Sequence, residues 1–282
     1  MFYVIAAYSA LSQRVGTRQY EEARRYHREL WRHTPLAGQE VAVARRAVAE
    51  FWSCQELFWR PWLMKNGEIE GFQHFTAARS AGRGVVAVFP HFGMPYALFP
   101  IMRRFGIDCW VVASPNHYEE LPNPRGYLAR FLRFSWGYID LMGAGRAIPR
   151  AGAPGTLGAF DRVLGLLHDG ATVSIAFDSV GSTPTPFLGR TISLASGPSK
   201  LSHETEAMVV PFVIRRRRHH PVLRFAPPLD PREFKDATAL QAAIAVVMER
   251  WALELPEAVW ALEDQPGGPP LIQGPVSASK SA

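Results

Sequence analysis

Residues 84–226 constrain this chain most. Short, continuous apolar runs rich in β-branched residues recur there, separated by stretches with helical spacing. Residues 84–89 carry Val85, Val86, Val88 and Phe89 without a polar interruption. Such a run suits a strand buried on both faces. Similar runs occupy residues 107–113, 137–141, 171–177, 208–214 and 222–226. Between them, residues 95–105, 126–136, 157–168 and 199–206 have helical spacing, with Pro198 placed for a first helical turn. A further amphipathic helix is expected over 238–253. This alternation predicts a single α/β domain whose central mixed, largely parallel sheet is flanked by helices.

An N-terminal helical segment is expected to precede that core, over residues 1–64. Two helical runs, one from Tyr20 and one from Glu40, are separated by Pro35 and Gly38. Phe51, Trp52, Phe58, Trp59 and Trp62 crowd the second. They suit either core packing or an apolar wall for a lipid chain or membrane surface. Residues 1–11 are apolar, but Arg14 and Arg18 follow too soon for the roughly 20 apolar residues a span needs. That start suits a packed helix or a dip into one leaflet. The core is expected over 65–264. The Gly-, Pro- and Ser-rich residues 265–282 read as a disordered tail. A cytoplasmic protein is expected, peripheral on the inner face of the plasma membrane.

With 48% hydrophobic and 20% charged residues, the composition excludes a disordered chain. The formal charge of +6 favours phosphate-bearing partners without choosing among nucleic acid, anionic lipid and a phosphorylated carrier. No nucleic-acid motif accompanies it, so nucleic acid is not expected. Cys54 and Cys109 match no metal spacing and read as buried thiols; no metal is expected. The run Arg215, Arg216, Arg217, Arg218, His219, His220 lies between two expected strands. It suits a solvated hairpin tip, or contact with anionic headgroups or an acidic carrier protein.

His91 follows one expected strand and precedes a helix, at the sheet edge where α/β proteins place ligands. An imidazole there can act as a general base, or be a structural histidine. Asp178 ends another expected strand and shares that edge if the two strands are parallel. It can orient the imidazole or simply form a turn. Glu204 and Glu206 are weaker acids on an expected solvated helix face.

The block Gly84 to Gly93, ending His91-Phe92-Gly93, resembles the catalytic block of the bacterial lipid A biosynthesis (late) acyltransferases. The phosphatidylinositol mannoside acyltransferases share it, and both belong to the wider lysophospholipid acyltransferase superfamily. Residues 68–75, 132–137, Asp178, 186–190, Ser196 to Pro198, 210–212 and 255–260 resemble further family segments in the same order. The resemblance covers about residues 65 to 264. It implies that His91 deprotonates an acceptor hydroxyl, or an amine, which then attacks the thioester of acyl-CoA or acyl carrier protein. It also implies substrate contacts from Phe92, Gly93, Arg133, Gly189 and Arg190, and no cofactor beyond that acyl donor. The acceptor would be a glycolipid or specialised metabolite, and an anionic membrane surface a further partner.

One departure stands out. The family places Glu or Asp five positions after its histidine, and here that residue is Tyr96, preceded by Met94 and Pro95. A neutral phenol can hold the imidazole tautomer but offers no full charge to an imidazolium. In a serine protease, neutralising the orienting carboxylate costs about 10⁴ in rate. Asp178 is the first candidate to replace the missing acid. Loss of the acid also admits two other readings: a degenerate binding or scaffold protein, and a thioester hydrolase.

Overall fold

The computed structural model describes residues 11, 17–113, 134, 137–138, 141–143, 146–149, 158–218 and 220–259. A seven-stranded sheet forms its centre. The strands are β1 (Glu68–Glu70), β2 (Val85–Phe89), β3 (Trp110–Ala113), β4 (Ala147–Pro149), β5 (Thr172–Ala176), β8 (Met208–Arg217) and β9 (His220–Phe225). A separate antiparallel pair, β6 (Val180–Phe187) and β7 (Arg190–Leu194), forms a hairpin. The sheet order is β1-β9-β8-β2-β5-β3-β4. All neighbours are parallel except β8 and β9, which pair antiparallel. This is the expected largely parallel, mixed α/β sheet.

The continuous apolar strands follow from burial on both faces. Val86, Val88, Val173, Ile175, Val209 and Val213 pack on one face. Their neighbours Val85, Ala87, Phe89, Ala176, Met208, Val210 and Phe212 pack on the other. Successive strand side chains point to opposite faces, so both layers must be apolar. Helices α1 (Arg18–Trp31), α5 (Ala159–His168), α6 (Gly197–Thr205) and α7 (Ala237–Glu254) supply the first layer, with Leu30, Trp31, Val163, Leu167, Leu201, Ile244 and Met248. Helices α3 (Phe72–Ser80) and α4 (Leu98–Arg104) supply the second, with Phe75, Leu98, Ile101 and Met102. Helix α2 (Glu40–Trp59) reaches both, through Val43 on one side and Cys54 and Leu57 on the other. Each fully buried Leu, Ile, Val or Met contributes about 1.5–3 kcal/mol relative to exposure.

Two expectations change. Residues 137–138 and 141–143 are helical rather than a strand, and the sheet position is taken by β4. Leu141 is 67% exposed, whereas Ile148 in β4 is buried at 1%; the deciding apolar residue sits in the later segment. The hairpin β6–β7 was not foreseen, because its alternation is broken by Pro184 and Pro186. The expected helix over 126–136, the apolar start and the tail lie outside the described residues, apart from Leu11 and Phe134. Among the described residues no helix is long and apolar enough to cross a membrane.

Candidate active site

The site is set by two adjacent parallel strands. Phe89, the last residue of β2, pairs with Ala176, the last of β5. The Phe177 amide still donates to the Phe89 carbonyl at 2.7 Å, and then both chains leave the sheet. Pro90 carries no N–H and stops the ladder. His91 and Asp178 therefore emerge side by side at the carboxyl edge.

Asp178 holds residue 91 twice. Its Oδ1 lies 2.7 Å from His91 Nδ1, and its Oδ2 accepts the His91 backbone N–H at 2.9 Å. The carboxylate is buried, with 2% of its surface exposed, and a buried carboxylate needs such partners. The His91 side chain is 30% exposed, so the ring is reachable from solvent. In the neutral ring, a carboxylate facing Nδ1 favours the tautomer that carries its proton there and leaves the lone pair on Nε2. Phe89 packs edge-on against the imidazole, ring centroids 5.9 Å apart.

The turn after His91 is clamped to β8. Gly93 has φ +79°, and a Cβ there would lie 2.2 Å from the Ile214 carbonyl oxygen. Only glycine combines that backbone with that approach. The Gly93 amide donates to Ala258 O at 3.1 Å and the Met94 amide to Ile214 O at 2.8 Å. Phe92 is buried in the core, where it anchors the same turn.

Tyr96 is engaged elsewhere. Its hydroxyl donates to the Cys54 carbonyl of α2 at 2.9 Å. Desolvation, then neighbouring Cys54 and Glu50, hold the phenol well above its ordinary pKa, so it is neutral. Burial likewise pushes the Cys54 thiol well up, and Cys109 up to about 12.

Two further sequence candidates, Gly189 and Arg190, meet the N-terminal helices. Arg190 donates to the Glu29 carbonyl of α1. Gly189, φ +72°, comes so close to His33 that a Cβ would lie 2.4 Å from its carbonyl oxygen. Together they tie the β6–β7 tip to the N-terminal helices. Leu188, also at positive φ, is held by Glu249, whose Oε2 accepts its amide at 2.9 Å. Arg133 lies outside the described residues. The arginine run is an edge of strand β8, and three of its members are neutralised. Arg215 meets Glu70 at 3.0 Å, Arg216 meets Glu50 at 2.6 Å, and Arg217 meets Glu70 at 3.1 Å and also Glu68. The run ends at the expected hairpin tip between β8 and β9, with these three charges compensated. Spacing signals none of the clamps by Ile214, Ala258 or Glu249, since each partner is distant in sequence.

Residues 143–263 match the family model described as bacterial lipid A biosynthesis acyltransferase. Over that stretch, somewhat under half of its length, the chain is similar to this acyltransferase family. The matched stretch contains Asp178, Gly189 and Arg190 but begins after the His91 turn, which joins it only in three dimensions. Among solved structures, the 1-acyl-sn-glycerophosphate (LPA) acyltransferase PlsC from Thermotoga maritima aligns over 92% of this chain and 95% of that chain. The identity is 17% and the TM-score 0.43. No curated protein matches the chain significantly.

Proposed function

We propose that this chain is an acyltransferase that moves an acyl group from a thioester donor, acyl-CoA or acyl carrier protein, to a hydroxyl or amine. His91 is the general base and Asp178 its orienting carboxylate. The observation that carries this is the double hold of Asp178 on residue 91, at 2.7 Å to Nδ1 and 2.9 Å to the amide.

The chemistry follows from that geometry. His91 Nε2 takes the acceptor proton as the acceptor oxygen or nitrogen attacks the thioester carbonyl. The nearby carboxylate stabilises the imidazolium that forms. Collapse of the tetrahedral intermediate breaks the C–S bond, and the imidazolium returns its proton to the leaving thiolate. One ester or amide and one thiol result.

The scaffold reading rested on the missing acid at position 96. A carboxylate on the His91 ring, contributed just past the end of β5, supports the enzymatic reading over it. A lipid or small-molecule acceptor and a membrane surface belong to this reading. The test is to incubate the purified chain with acyl-CoA and candidate acceptors, follow thiol release, and identify products by mass spectrometry. Acylated product that disappears with His91→Ala is expected. Thiol release with free acid as the sole product would instead make the chain a hydrolase. No turnover with any donor, CoA- or carrier-linked, would favour the scaffold.

A further inference from the structure

Three cations without a carboxylate partner cluster away from the arginine run. Among the described residues, Lys65, Arg103 and Arg104 meet no carboxylate within ion-pair distance, whereas Arg215, Arg216 and Arg217 all do. Lys65 lies in the 3₁₀ helix Pro61–Asn66, and Arg103 and Arg104 end α4. They converge: Arg104 donates to the Lys65 carbonyl at 3.1 Å and to the Gly67 carbonyl at 2.8 Å, and Arg103 to the Leu141 carbonyl at 3.3 Å. Backbone carbonyls orient these guanidinium groups but do not cancel their charge. With Tyr138 and Met142 they line a surface cavity of about 460 Å³.

Exposed aromatics border the same cations. Trp62 is 42% exposed and Phe134 51%, and their rings meet at 6.3 Å. Phe105 lies beneath the Arg104 guanidinium at 5.5 Å and meets exposed Phe72 at 6.2 Å. Leu141 is exposed beside Arg103. Large exposed apolar patches mark interaction surfaces. Aromatic rings interleaved with long cationic side chains suit the headgroup layer of a bilayer, where rings enter and cations stay at the phosphates.

We infer that the surface formed by Trp62, Lys65, Phe72, Arg103, Arg104 and Phe134 docks the protein on an anionic lipid bilayer. Charge complementarity selects an anionic partner. The spread of exposed rings around the cations selects a lipid surface over an acidic protein. The surface makes no use of His91, so vesicle binding is read without turnover and survives failure of the acyl-transfer reading.

The test uses the full chain and vesicles of phosphatidylcholine alone or mixed with phosphatidylglycerol. Sedimentation with the mixed vesicles, weakened by salt, and little with phosphatidylcholine alone are expected. Lys65→Gln with Arg103→Gln weakens binding about thirtyfold, taking the usual contribution of each surface cation. Trp62→Ala, at an exposed site that leaves folding intact, weakens it as well. Arg215→Gln with Arg217→Gln, on the neutralised run, changes it by less than about threefold. Unchanged binding in the Lys65/Arg103 pair, an equal loss in the Arg215/Arg217 pair, or equal binding to neutral vesicles overturns the inference. Polyglutamate competing as well as added anionic vesicles, charge for charge, reassigns the surface to an acidic protein and also overturns it.

Discussion

Asp178 grips both nitrogens of residue 91 that face it, and Tyr96 grips the carbonyl of Cys54, so the two side chains divide positions rather than share one. Replacing Tyr96 by Glu to restore the family spelling is therefore expected to harm. The new carboxylate would enter beside Glu50 with no cation of its own, because Arg216 is already paired to Glu50 at 2.6 Å. Stability falls by about 2–4 kcal/mol in denaturant titration, and turnover does not rise. Tyr96→Phe costs about 1 kcal/mol, the worth of one hydrogen bond, and leaves kcat within a few-fold. Gly93→Ala is predicted to be worse: a Cβ 2.2 Å from Ile214 O, on a φ of +79°, costs about 2–4 kcal/mol by the same titration. The histidine was legible because it follows a buried run, and Asp178 because it ends another. Their mutual distance was not legible, since it depends on β2 and β5 being neighbours, which pairing decides and spelling does not.

At the scale of elements, the N-terminal helix α1 carries a buried histidine that no motif announces. His27 is fully buried, and its Nδ1 accepts the Trp31 indole N–H at 3.0 Å one turn on. Burial first, then the charge of Arg46, lower its pKa to about 4. A neutral form favoured by folding means that the unfolded chain binds the proton more readily. Stability from this group is complete above about pH 6.5 and is lost as pH falls toward 4, up to about 3 kcal/mol. Thermal melts across that window should show a decline that is shallower in His27→Gln. Helices α1, α2 and α7 were legible from their spacing and appear within a few residues of expectation. The sheet edge was not: β4 has only three residues, with Ile148 buried and Ala147 exposed, too little pattern to distinguish from a loop. The arginine run shows the converse. Its charge was plain in sequence, but its neutralisation by Glu50, Glu68 and Glu70 arises only when α2 meets β8 and β1 pairs on the far side of β9.

For the molecule as a whole, a parallel sheet buried on both sides brings the ends of β2 and β5 to one edge, and function follows from what stands there. The central claim is that His91 and Asp178 act as one unit in acyl transfer. Groups acting as a unit are strongly non-additive, so a double variant should be little worse than the more severe single one. The decisive measurement is kcat for acyl transfer in the wild type, His91→Ala, Asp178→Asn and the double variant, each shown by thermal melt to be folded. The account predicts a loss of about 10³–10⁴ for Asp178→Asn, at least as much for His91→Ala, and no further loss in the double variant. Full activity in Asp178→Asn, or losses that multiply in the double variant, would contradict it.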